Sequence, residues 1–411
     1  MKGLKNIFLN TYSGIDRNVW FLATAMFINR AGSIVMLFLG IYLSQELHYP
    51  ITKAGIVMSM LGLGSLTGSL LGGYLVDKLG YYKVLVSTIT LSGIVLLIVS
   101  GISNFYLMCL MIYLFTATGD AFRPANITAM TSFSDASNYT RTIALNRLAM
   151  NLGFSIAPLI GGFLAAVHFK SIFWVDGLTC IAAGIFLMIF IGRVHRAQKS
   201  NKNALPAKEE QPGAGFDSPW KDRFYLLFLL VCLLYATAFF QLFSTLPLYY
   251  KDVYHLSPGA IGFLMSLNGL GVAVIEMFVI YLIEGKLRNF TYIKLGGLLL
   301  IIGYVLMNFF HGYYILIVSM IFITASEILA MPFMASFCMR RAGSKSMGRY
   351  MGLYSTAWAI ALIAAPFLGT QVVDRFGYEV HWYVFAGVSL LATLLMYLIR
   401  NSDQNSAGSH L

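Results

Sequence analysis

The sequence predicts an all-α membrane protein with twelve transmembrane helices arranged as two pseudo-symmetric six-helix bundles, and three observations carry this. First, 58% of the 411 residues are hydrophobic and only 11% charged, with a mean hydropathy of +0.74. That leaves too little polar surface to wrap a water-soluble globule of this length. Second, apolar runs of about 20 residues follow one another along nearly the whole chain. Each is long enough, at about 1.5 Å per residue, to cross about 30 Å of hydrocarbon. Third, Pro124, Arg141 and Pro158 return as Pro332, Arg349 and Pro366, each 208 residues later. Tyr42, Gly55, Met58, Ser59, Gly62, Leu63 and Gly64 likewise return 207 residues on as Tyr249, Gly262, Met265, Ser266, Gly269, Leu270 and Gly271. Register kept over two long windows marks an internal duplication.

The first bundle is expected within residues 1–192, with spans near 19–43, 54–76, 83–101, 105–130, 143–167 and 171–192. The second occupies 223–400, with spans near 223–249, 260–283, 291–309, 313–337, 350–373 and 381–400, followed by a disordered tail at 401–411. Residues 193–222 hold Pro206, Pro212, Gly213, Gly215, Pro219, a basic run and Glu209-Glu210, and read as a solvated cytoplasmic linker. Orientation follows from the basic residues, which accumulate on cytoplasmic loops. With the N-terminus cytoplasmic, only Lys53, Lys170, Lys251 and Arg375 of the 28 fall on the far side, while Arg30 and Arg123 lie deep in spans. The net charge of +11 is thus an orientation signal and a contact with anionic lipid, not a nucleic-acid footprint. Both termini are placed in the cytoplasm and the protein in a bacterial inner (plasma) membrane.

Met1 to Arg17 has no cleavable signal pattern, and Lys2, Lys5, Phe8 and Leu9 suit a short helix lying along the inner surface. Cys109, Cys180, Cys232 and Cys338 all fall in spans without CxxC spacing, so they read as packing residues rather than disulfides or metal ligands. No metal or cofactor is expected.

Between the second and third spans stands Gly73-Tyr-Leu-Val-Asp77-Lys78-Leu-Gly80-Tyr-Tyr-Lys83. Its glycines permit a tight helix–loop–helix turn, and its carboxylate at a helix end can pair with basic groups or helix N-termini. The stretch resembles the loop signature of the major facilitator superfamily. Gly73, Asp77, Lys78, Gly80 and Lys83 fit that signature, and Tyr81 and Tyr82 stand where the family usually has basic residues. The resemblance implies a gating role for the five matching residues, with Asp77 latching the cytoplasmic side of an outward-open state. Read without it, the stretch is a solvated turn. In the second half the equivalent loop, Glu284-Gly285-Lys286-Leu-Arg288, is a degenerate copy.

The fifth span reads Gly153-Phe-Ser-Ile-Ala157-Pro158-Leu-Ile-Gly161-Gly162. A proline beside small residues gives a kinked helix that packs closely on a neighbour. The segment is similar to the glycine–proline signature of the proton-driven multidrug exporters of the same superfamily, with Ala157 in place of the glycine before the proline. That resemblance implies a conformational role for Gly153, Pro158, Gly161 and Gly162.

Ionisable residues inside hydrocarbon cost several kcal/mol and face a cavity or a partner. The deep ones are Arg30, Asp120, Arg123, Glu276 and Glu327, while Arg147 and Asp176 lie nearer helix ends, within reach of water. All seven histidines fall in loops or at helix ends, so proton carriage falls to carboxylates. Glu327 and Glu276 stand alone on their helices and are the leading proton-coupling candidates. Asp120 follows, because Arg123, three residues away on the same face, can neutralise it. The alternative for each acid is a packing device held by hydroxyls or an arginine. Asn29 and Arg30 join the substrate-binding set, with Arg30 suited either to bind an anionic group of the solute or to control the pKa of a carboxylate across the cavity. Arg123, Asn268, Gln241, Tyr354 and Trp358 complete the expected substrate-binding set.

A cavity of aromatics and methionines with few charges suits an amphiphilic or lipophilic solute. The function expected is a monomeric secondary active transporter of a small molecule, working by alternating access and coupled to protons, or to sodium, in the export direction. A proton-coupled uptake symporter for peptide-like or organic anionic solutes is the alternative. A membrane enzyme or receptor would need a clustered nucleophile, metal set or phosphate-binding loop, and the sequence contains none.

Overall fold

The computed structural model describes residues 15–134, 139–200, 219–283, 286, 287 and 289–408. The surface helix expected before Arg17, most of the linker, the degenerate loop at Glu284, Gly285 and Arg288, and the Arg141 side chain lie outside the described residues. Eleven described stretches are long and apolar enough to cross a membrane. We label them α1 (Arg17–Glu46), α2 (Ile51–Leu79), α3 (Tyr81–Val99), α4 (Phe105–Ser132), α5 (Tyr139–Val167) and α6 (Ser171–Ser200) in the first half. The second half holds α7 (Arg223–Asp252), α8 (Pro258–Ile283), α9 (Asn289–Phe309) and α10 (Tyr313–Arg341).

The eleventh stretch, Arg349–Tyr397, is two spans. A straight helix would put residues 369 and 381 about 18 Å apart, yet His381 Nδ1 lies 3.2 Å from the Gly369 carbonyl. The chain reverses at Gly377, whose φ of +80° only glycine adopts readily. Its arms are α11 (349–376) and α12 (378–397), which completes the twelve expected helices. A second reversal separates α10 from α11, because the Tyr225 hydroxyl reaches both Cys338 Sγ (3.6 Å) and the Tyr350 carbonyl (2.6 Å). The helical path continues to Gly408, where the sequence predicts a disordered tail, through a stretch without proline. It likewise carries α6 past the predicted end at residue 192.

The chain groups into two compact units, Met1–Leu39 with Leu63–Ala204, and Gly40–Gly62 with Leu205–Leu411. The expected division at the linker thus differs by residues 40–62. These pack on α11 because Gly55 and Gly62 have no side chain: a Cβ at Gly62 would meet Ile363 N at 2.5 Å, and one at Gly55 the Pro366 carbonyl at 2.8 Å. In the first unit Leu22 and Met26 of α1, Leu85 and Ile89 of α3, Phe122 and Ala125 of α4, and Ala183 and Leu187 of α6 form one buried core. Phe163, Val167, Val274 and Phe278 point outward, as side chains facing lipid do.

Two spans are broken. In α1 the helix Arg17–Ala31 stops at Gly32 and resumes at Val35. In α7 the helix Arg223–Phe239 gives way to a 3-10 turn, Phe240–Leu242, and resumes at Thr245. Position 32 carried forward by the 207-residue offset of the window beside it is position 239, where the helix of α7 ends, so the duplication has kept the break.

Candidate functional site

In the first unit the break in α1 organises the deep charges. Arg30, two residues before the break, is buried. Its Nη2 lies 3.9 Å from Asp120 Oδ1 and its guanidinium 5.2 Å from the Phe154 ring centroid. Arg123 Nε lies 3.0 Å from the same Asp120 oxygen, an ion pair whose alignment makes no hydrogen bond. One carboxylate thus stands between two guanidinium groups, and the buried Nε of Arg30 has no hydrogen-bond acceptor. Asn29 does not face this group, since its Nδ2 donates to Cys180 Sγ on α6 at 3.4 Å.

The expectation that water reaches Asp176 is corrected. Its residue is 2% exposed, and its Oδ2 accepts from the amides of Ile34 and Val35, each at 3.1 Å. A broken helix leaves amides that must find acceptors away from water. The signal in the sequence is Gly32-Ser33 in the middle of the first span, an interruption that calls for such a group.

In the second unit Asn268 Nδ2 donates to Glu327 Oε2 at 2.9 Å and to Thr324 Oγ1 at 3.2 Å. Among the described residues Glu327 has no basic partner within ion-pair distance. Glu276, on α8, is also buried. Immediately before Glu327 in the chain, Ser326 shares a 2.8 Å hydrogen bond with Tyr235. Tyr235 begins a row of rings that continues through Phe239 (6.3 Å between centroids), Phe240 (6.0 Å), Trp358 (5.7 Å) and Tyr354 (6.0 Å). The buried Trp358 Nε1 has no acceptor.

Gln241 belongs to the break in α7. Its Nε2 donates to the carbonyls of Thr237 and Ala365, and its Oε1 accepts from Thr245, whose hydroxyl also lies 2.9 Å from His381 Nε2. His381 stands at a helix end as expected, but it is fully buried there, because the reversal at Gly377 folds the start of α12 against α11.

The loop residues lie elsewhere. Gly80 is the single residue between α2 and α3, with φ +81°, a value that suits glycine. Asp77, Lys78 and Lys83 are exposed, with Lys78 Nζ 5.0 Å from the Tyr74 ring centroid, and a Cβ at Gly73 would meet open space. On α5, Pro158 sits inside the helix, Gly162 is buried, and Gly153 and Gly161 are pressed against Arg30, Ala31, Ile34 and Phe38 of α1.

Comparison with known proteins gives a consistent picture. The family model of the Major Facilitator Superfamily matches residues 19–366. The chain is 21% identical over 400 residues to a Na(+), Li(+), K(+)/H(+) antiporter of Planococcus maritimus, covering 90% of this chain and 92% of that one. It is 23% identical over 378 residues to the quinolone resistance protein NorA of Staphylococcus aureus, covering 89% and 94%. Among solved structures, a POT family transporter in complex with a thioalcohol-conjugated peptide superposes with a TM-score of 0.77 at 13% identity, covering 95% and 97%.

Proposed function

The chain belongs to the Major Facilitator Superfamily, and from that premise we propose that this membrane transporter is a proton-coupled exporter of a small amphiphilic or lipophilic solute. It works as a monomer by alternating access in the bacterial inner membrane, with both termini cytoplasmic. The observation that carries the reading is Glu327, a carboxylate within the helices held by Asn268 and without a basic partner among the described residues. An intramembrane acid without a counter-charge marks a proton or ion path. Glu276 is a second buried acid in the same unit, while Asp120 is already paired with arginine.

The ring row from Tyr235 to Tyr354 presents flat apolar faces with few hydrogen-bond groups, which suits an amphiphile. Tyr354, Trp358, Asn268, Arg30 and Arg123 are assigned to the solute. Similarity to a cation/proton antiporter and a quinolone resistance protein supports exchange and export. The peptide-bound structure supports the fold alone. A second reading, uptake of peptide-like or organic anionic solutes, draws on the unsatisfied Nε of Arg30 beside Arg123.

One experiment separates the two. Purified protein is reconstituted in vesicles with an imposed proton gradient and offered amphiphilic dyes and a peptide library. Export predicts dye movement against the direction of proton flow. Peptide accumulation running with the protons would overturn it in favour of uptake.

A further inference from the structure

The break in α1 is gripped by one face of α6. Asp176, Thr179 and Cys180 are spaced three and four apart and so share a helical face. Asp176 accepts from the Ile34 and Val35 amides, the Thr179 side chain fills the space left by Gly32, and Cys180 accepts from Asn29. Arg30 lies inside this grip, one residue after Asn29 and four before Ile34, and its side chain leads to Asp120.

The second unit holds its own break differently. There the sixth helix of the repeat also supplies the group, His381 of α12, but the work is shared among an amide, a hydroxyl and an imidazole: Gln241, Thr245 and His381. A break of this kind therefore does not need a carboxylate. The carboxylate occurs in the copy whose broken helix carries an arginine. There Arg30 and the partly exposed Arg123 face one carboxylate, Asp120, while Asp176 serves the amides of the break.

We propose that Asp176 is the positioning residue for Arg30. By accepting the two amides that restart α1, it fixes the break and with it the direction in which the Arg30 guanidinium points. The role does not depend on which solute is carried or in which direction.

The test needs no solute. The full-length protein, labelled with 15N-arginine and placed in lipid nanodiscs, is read in two ways. One is hydrogen–deuterium exchange of the α1 segment 28–38. The other is the Arg30 Nε–H resonance, identified by its loss in Arg30→Lys. In Asp176→Asn, exchange at amides 34 and 35 is expected to rise about tenfold, as loss of a buried charged acceptor implies, and the Arg30 resonance to move. Asp176→Glu keeps the carboxylate, and it should restore exchange protection and bring the resonance part of the way back. An Arg30 resonance unmoved in Asp176→Asn while amide exchange rises would make the clamp purely local and overturn the proposal. Should Asp176→Asn not accumulate as folded protein, Asp176→Glu decides alone: amide exchange and the Arg30 resonance that change or hold together support the proposal, and one changing without the other overturns it. Neither readout uses the exporter assay, so failure of one reading leaves the other standing.

Discussion

Glu327 and Asp120 have opposite surroundings, and that difference supports the roles proposed for them. Asp120 lies 3.0 Å from one guanidinium and 3.9 Å from another, whereas Glu327 is held only by a neutral amide. Replacing Glu327 by Gln keeps the hydrogen-bond geometry and removes the exchangeable proton. Gradient-driven transport in vesicles is expected to fall at least about a hundredfold, the scale of losing a positioned proton-transfer group, while solute exchange without a gradient persists. Retained driven transport in Glu327→Gln would move the coupling role to Glu276. These acids were legible in the sequence because a charge in an apolar run is conspicuous. Their partners were not, because Asn268 and Glu327 are 59 residues apart, and the pairing depends on which helix faces which. Asp176 was placed too near the surface for a related reason: its partners are backbone amides, which no side-chain pattern advertises.

At the scale of elements, all twelve helices were legible from length and hydropathy, and the breaks in α1 and α7 were not. An apolar run has the same hydropathy whether it is one helix or two, so only Gly32-Ser33 hinted at the first break, and Phe239-Phe240 gave no hint of the second. The start of α7 shows how such an end is secured. Asp222 Oδ1 accepts from the Tyr225 amide at 3.1 Å, as a helix N-cap does. The same carboxylate takes Arg341 Nε at 2.8 Å and Nη2 at 2.9 Å, and the Tyr350 hydroxyl at 3.2 Å, which ties α7 to the ends of α10 and α11. Burial pushes this carboxyl upward, but the hydrogen bonds from Arg341 and the Tyr225 amide outweigh it and hold it below the usual carboxylate range. Its folded value is therefore depressed, so its contribution is complete above the unfolded value of about 4 and is lost as pH falls through the lower folded value. Asp222→Ala is expected to cost about 3 kcal/mol at neutral pH, the scale of leaving Arg341 with a broken pair. Thermal unfolding in detergent at pH 7 and pH 3 checks this, and the gap between wild type and variant should narrow at the lower pH. A gap independent of pH would mean that packing, not the charge, holds the three ends.

At the scale of the whole molecule, transport requires two states of one chain, and a residue can shift their balance only by making different contacts in each. Asp77 is exposed, and among the described residues it makes no ion pair, while Gly80 beside it closes the turn between α2 and α3 in a single residue. An unengaged carboxylate on a rigid turn is free to find basic groups or helix N-termini in the other state, the latch that the loop signature implies. The second copy of the loop lacks an aspartate in the equivalent motif, so only the first copy carries the proposed latch. Removing the Asp77 charge should therefore unbalance the cycle without touching the solute. Asp77→Asn is expected to lower turnover about tenfold, equivalent to about 1.4 kcal/mol between states. The solute concentration giving half-maximal binding should stay within about twofold. Turnover in vesicles and equilibrium binding in detergent, measured on the same preparation, separate the two quantities. Unchanged turnover would reduce the Asp77 loop to a solvated turn, and a matching loss of binding would place Asp77 in the solute's path rather than at the gate.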